Sequence, residues 1–256
     1  MESVQAVCQH FASATWKCVS ERWETWKKDL SDSQVYEVIG ALLARQATVI
    51  RELAENPLCW NAHVAPLFLR AEADVFITLS WILNDPSVRS KMFVAYGLGQ
   101  AKLDIEHQRG FYKRRNLGPD SEKYLESKES WINAQRWTFL TDVNVGSWSG
   151  TNTRKMATEA GALDVYNQIY NPMSSCTHSM WHHIGKFNMT VCDNPLHRHH
   201  LVPSDNPRNI DHSFFVVGAL IVDMTLAKFD EKVTLGLTPP DSYERLNREL
   251  GNLFKA

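Results

Sequence analysis

The sequence predicts an all-α protein: a single-domain helical bundle of about seven to nine helices spanning 1–256, with a long irregular loop near 188–212. Three observations carry that prediction. Apolar residues recur at three- and four-residue intervals through several segments long enough to be helices. No alternating pattern long enough for a useful strand occurs, and neither an internal repeat nor a low-complexity linker divides the chain. With 256 residues, nine Trp, eleven Phe and seven Tyr, the chain can bury a sizeable core.

The first helix runs from Val4 to about Leu30, with Val4, Val7, Phe11, Cys18 and Trp26 spaced for one face and a break expected near Ser13. Ser33 then serves as an N-cap for the cleanest amphipathic pattern in the chain, in which Val35, Val38, Ile39, Leu42, Gln46, Val49, Ile50 and Leu53 form one face. Asn56 and Pro57 end it. Pro66 suits the first turn of a third helix to about Asn84, apolar almost all round and so buried on most sides. Within it Arg70, Asp74 and Thr78 share a face, and Glu72 falls elsewhere on the cylinder. A guanidinium stays charged, so Arg70 needs an acceptor, and Asp74 one turn later is the nearest.

Asp85 and Pro86 read as N-cap and first residue of a fourth helix that Gly118 and Pro119 stop. Gly97 and Gly99 weaken its middle, and Arg109, Lys113, Arg114 and Arg115 suit its C-terminal end, where the macrodipole favours cations. Asp104 and His107 lie one turn apart, but no second acid–His pair accompanies them, which argues against a di-iron bundle. A polar helix over 120–137, a loop rich in Gly, Ser, Thr and Asn, and a helix from Thr153 to Ala160 ended by Gly161 follow. An apolar helix from Ser213 to about Asp230 enters the core. Asp241 and Ser242 cap a last helix that docks through Leu246, Leu250 and Phe254.

Composition excludes several classes. A formal charge of −2 supplies no global basic field for duplex nucleic acid. Five Cys at 8, 18, 59, 176 and 192 lack paired spacing, and MESVQAVCQHF has no apolar core after a basic start, so a reduced, cytoplasmic protein is expected. The most apolar runs, Val75 to Leu83 and Phe214 to Val222, fall short of the roughly 20 residues of a membrane span.

The unusual stretch is YNQIYNPMSSCTHSMWHH, 166–183. Tyr166, Tyr170, Ser174, His178 and His182 recur every fourth residue, so a helix would align hydroxyls and imidazoles where aliphatic side chains are usual. Pro172 removes a backbone donor, which leaves either a kink or a new helix with Asn171 as cap and Pro172 at its first position; both versions keep Ser174, His178 and His182 on one face. A buried hydrogen-bond network that locks helices together is one reading of the stripe. Metal binding is another: His178 and His182 can share an ion, although Ser179 stands where the HEXXH motif has Glu. Cys192, His197, His199 and His200 could hold zinc in the irregular loop. No other cofactor is indicated.

Arg70 and Asp74 in an apolar helix, the YGLGQAKL segment, and the later Tyr-x3-Tyr-x3-Ser-x3-His series together resemble a bacterial helical family of unknown function. The resemblance covers about residues 40–185, leaving the helices of 213–254 to pack on that core. That family has a loose likeness to the HEPN superfamily of helical ribonucleases, common in toxins and anti-phage systems, which place Arg or Asn four to six residues before a His. Here Asn171 precedes His178 by seven positions. The resemblance implies RNA cleavage without metal: His178 as acid or base, Arg70 as phosphate clamp, Asp74 orienting it, and Tyr166, Tyr170, Ser174 and His182 positioning substrate. It also implies RNA as a partner, a partner protein of a defence system, and a homodimer. The competing expectation is a non-catalytic binding or sensor module using the same residues.

Overall fold

The computed structural model describes residues 2–115, 118–135, 147–205, 209–237 and 242–253. The chain is all-α. Among the described residues, strand occurs in one hairpin, β1 Met189–Val191 antiparallel to β2 Leu201–Pro203. That hairpin lies in the segment expected to be wholly irregular; three residues per strand are too few to imprint an alternating pattern. Among the described residues no helix is long and apolar enough to cross a membrane.

The chain divides into two compact units, one of residues 1–27, 40–84 and 157–256, the other of 28–39 and 85–156. In the larger unit the centre is α3 (Ala65–Ile82) packed along α10 (Ser213–Val233). Leu69, Ala73, Phe76, Ile77 and Leu79 of α3 are buried, as are Phe215, Ala219, Ile221, Val222, Leu226 and Phe229 of α10. Burying side chains of this size is worth about 1.5–3 kcal/mol each, which is why two helices with almost no polar face must pair. Gly218 lets them approach: a Cβ there would stand 2.8 Å from Glu72 Oε2 and 3.1 Å from Ile50 Cδ1.

α1 (Glu2–Thr25) runs without the expected break, because Ser13 is exposed and Thr15 returns its hydroxyl to the Phe11 carbonyl at 3.0 Å. At its end Arg22, 1% exposed, donates from both Nε and Nη2 to Asp230 of α10 and from Nη1 to the Cys18 carbonyl. Trp26 meets Phe229 edge-on at 5.3 Å beside this pair. Every member of the predicted α2 face (Ser33–Glu55) is buried, Gln46 included. α11 (Ser242–Leu253) packs against α1 and α10 and buries Leu246 and Leu250; Asp241 and Phe254 lie outside the described residues. α6 (Thr153–Glu159) ends as expected at Gly161, whose φ of 67° turns the chain while the Ala162 N–H reaches back to the Ala157 carbonyl at 2.7 Å.

In the smaller unit, α4 (Pro86–Arg115) and α5 (Pro119–Asn133) pack through Leu98, Ile105, Leu125 and Ile132. Gly97 faces open space. Arg109 bridges Glu106 and Glu129, so that member of the basic helix end serves the α4–α5 pairing. Most of the loop expected after α5 lies outside the described residues.

Candidate functional site

The polar stripe and the α3 arginine meet, but not along a straight helix. α7 (Leu163–Val165) continues into a π-helical turn, Tyr166–Tyr170, and then into α8 (Asn171–Thr177). Pro172 has no N–H to offer the fourth carbonyl before it, and its ring would crowd that carbonyl in a regular α-helix. The turn widens instead: the Asn171 N–H bonds the Tyr166 carbonyl five residues back. Of the expected alternatives, the helix start holds in part: Pro172 falls in the first turn of α8, but Asn171 is already helical rather than its cap, and the chain enters through the widened turn.

Across from the turn, Arg70 donates from Nη2 to the Tyr170 hydroxyl at 2.7 Å and from Nε to Ser174 Oγ at 3.1 Å. Its guanidinium also lies 4.5 Å from the Tyr170 ring centroid. Ser174 in turn donates to the Tyr170 carbonyl at 2.7 Å, and Tyr166 stacks on Tyr170 with ring centroids 5.3 Å apart. Asp74, expected to be the partner of Arg70, is only a loose one at 4.0 Å. The arginine is 23% exposed and Asp74 47%, so their attraction is screened by water. Apolar neighbours push the Asp74 carboxyl upward in pKa and Arg70 pulls it down, with both effects muted by that exposure.

His178 does not join this network. It is the exposed C-cap of α8: its backbone N–H bonds the Ser174 carbonyl at 3.0 Å, but among the described residues its ring makes no hydrogen bond or ion pair to Arg70, Tyr170 or Ser174. Ser179 then adopts a left-handed conformation (φ 49°), Met180 is extended, and α9 (Trp181–Phe187) starts a new axis. His182 therefore belongs to another helix, and the expectation that Ser174, His178 and His182 share one face is corrected by this break.

His182 lines a cleft of about 320 Å³ in the same unit. Pro66 of α3, Met173, Ser175 and Cys176 of α8, Lys186 and Phe187 of α9 and Phe214 of α10 form its walls. Beside it the buried His183 meets His63 edge-on at 6.2 Å and Phe187 at 4.9 Å. Burial lowers the His183 pKa, and the neighbouring His63 and His182 lower it further, so His183 is a neutral ring near pH 7. The Cys176 thiol donates to the His63 carbonyl at 3.3 Å. Four-residue spacing drew attention to His178 and His182 and passed over His183, its neighbour, and His63, which sits in the NAHVAP turn before α3.

Glu72 is the other group that spacing missed. It is 0% exposed on the α3 surface facing Gly218, neither carboxyl oxygen has a hydrogen-bond partner among the described residues, and burial pushes its pKa up to about 8. A glutamate two positions from Arg70, off the arginine's face in a helix apolar on all sides, was the available signal.

Of the residues considered for metal, Cys192, His197 and His200 come together, their ligand atoms all within 4.8 Å of one another. His199, at a φ of 61°, stands outside that group, as do His178 and His182.

The fold and site define an all-helical protein whose arginine-centred network and small cleft share one short helix, α8. Within that class the chain belongs to the family of unknown function DUF5677, whose sequence profile matches residues 36–195. No curated protein and no solved structure matches it.

Proposed function

We propose that this protein is a non-catalytic helical binding module of the cytoplasm whose ligand seats in the cleft between α3, α8, α9 and α10. The ligand is a small planar molecule with an anionic group, about the size of a mononucleotide. One observation carries the reading: α8 lends Met173, Ser175 and Cys176 to the cleft and the intervening Ser174 to Arg70. A volume of about 320 Å³ suits a small ligand, Phe187 and Phe214 offer apolar surface to a ring, and Lys186 and His182 offer donors to an anion. Neutral His183 adds no charge to be desolvated. Occupancy that shifts α8 alters the Arg70 bonds to Tyr170 and Ser174, which is how a bound state could be passed to a partner protein.

A second reading, a HEPN-like metal-independent ribonuclease serving as a toxic effector in anti-phage defence, is favoured by one observation. Arg70 lies within hydrogen-bond reach of Tyr170 and Ser174, the clamp and positioners such chemistry uses. RNA as substrate, a defence-system partner and a homodimer go with that reading. Its expected base is not beside the clamp, because the His178 ring shares no bond with Arg70 among the described residues.

Expression of the wild type, Arg70→Ala and His178→Ala, scored for growth and RNA integrity, separates the two. The binding reading expects intact RNA and equal growth in all three. RNA degradation by the wild type that is lost in soluble, helical variants overturns it.

A further inference from the structure

The β1–β2 hairpin carries a cluster that neither the cleft nor the Arg70 network uses. Its ladder pairs Val191 with Leu201, and the Cys192 N–H extends it to the His200 carbonyl at 2.9 Å. Between these ends the His197 N–H bonds the Asn194 carbonyl at 2.9 Å and the His200 N–H bonds the His197 carbonyl at 3.2 Å. Backbone bonds alone thus bring one thiol and two imidazoles to one side of a tight loop.

We infer that this loop holds one transition-metal ion of the zinc class through Cys192 Sγ and the imidazoles of His197 and His200, with the fourth position taken by water. The Cys192–His197 distance fits that ion, and His200 stands close enough to complete the set. Bond lengths of about 2.3 Å to sulfur and 2.0–2.1 Å to nitrogen, at tetrahedral angles, separate S from N by about 3.6 Å. Cys192 Sγ and His197 Nδ1 lie 3.7 Å apart, and all three ligand atoms fall within 4.8 Å of one another. A thiolate with two imidazoles selects zinc or cobalt over magnesium or calcium, which take oxygen donors. Asn194 Nδ2 stands 3.2 Å from the other nitrogen of His197, and the Leu196 N–H holds the Asn194 amide oxygen at 3.0 Å. A metal on Nδ1 leaves the His197 proton on Nε2, where the Asn194 amide nitrogen, itself a donor, cannot accept it, so the Asn194 side chain turns away when the ion binds. Among the described residues the cluster is open to solvent at both histidines, which leaves the fourth position reachable.

Titrating chelator-treated full-length protein with Co(II) tests the inference. One equivalent is expected to produce thiolate-to-cobalt charge-transfer absorption. Cys192→Ser, with its helical circular dichroism intact, is expected to abolish that absorption, and His197→Ala to weaken binding about 100-fold. His199→Ala is expected to cost nothing. Absence of the absorption in the wild type, or its persistence in Cys192→Ser, overturns the inference.

Discussion

Replacing Glu72 by Gln removes a titration from the core while keeping the side chain's shape. The carboxyl is fully buried and unpartnered, and its pKa rises from 4.5 to about 8 because ionisation would put an uncompensated charge between α3 and α10. In the unfolded chain the proton leaves near 4.5, whereas the folded state keeps it to about 8, so between those values the folded state binds more protons. The contribution of Glu72 to stability is therefore fullest below pH 4.5 and falls as pH rises through the window to about 8. At about 1.4 kcal/mol per pH unit, the full loss is on the order of 5 kcal/mol. Gln has no proton to lose and should flatten that slope, leaving the variant more stable than the wild type at high pH by several kcal/mol. Urea unfolding of both proteins across the window reads this directly. Parallel pH profiles for wild type and Glu72→Gln would refute the reasoning.

Other substitutions probe the packing and the network. Gly218→Ala drives a methyl group to 2.8 Å from Glu72 Oε2 and should lose about 1–3 kcal/mol to overpacking, more than the helix-propensity gain of about 1 kcal/mol, as read by the urea midpoint. Asp230→Ala leaves the buried Arg22 guanidinium without its carboxylate, and a loss of about 3–5 kcal/mol is expected in the same assay. Tyr170→Phe keeps the ring under Arg70 but removes the hydroxyl acceptor, for a loss of about 1–2 kcal/mol. Combining it with Ser174→Ala should give a non-additive cycle, because both hydroxyls serve one guanidinium; strict additivity would mean that they act separately.

The helices themselves were largely legible, since periodicity reports which side of a segment is apolar. The α2 face from Val35 to Leu53 and the all-round burial of α3 both follow from that signal. It does not say which faces meet. Arg22 and Asp230 stand 208 positions apart, and nothing local in either helix marks them as partners. Arg70 was legible as a residue needing an acceptor, yet its hydrogen bonds go to Tyr170 and Ser174, about a hundred positions away, rather than to Asp74. Four-residue spacing presumes an unbroken α-helix, and two events violate that presumption. Pro172 forces a π turn before α8, and the left-handed Ser179 ends the axis after it, so Tyr170 and Ser174 reach Arg70 while the His178 and His182 rings do not follow them there. The meeting of Cys192, His197 and His200 depended on a hairpin whose strands are too short to announce themselves.

The central claim is that the cleft of α3, α8, α9 and α10 is a ligand site, and titration calorimetry with AMP tests it most directly. The wild type should bind with saturable one-site heat, and Lys186→Ala, whose lysine is exposed at the cleft wall, should weaken that binding at least tenfold, or about 1.4 kcal/mol. No saturable heat with the wild type, or equal affinity in Lys186→Ala, would contradict it.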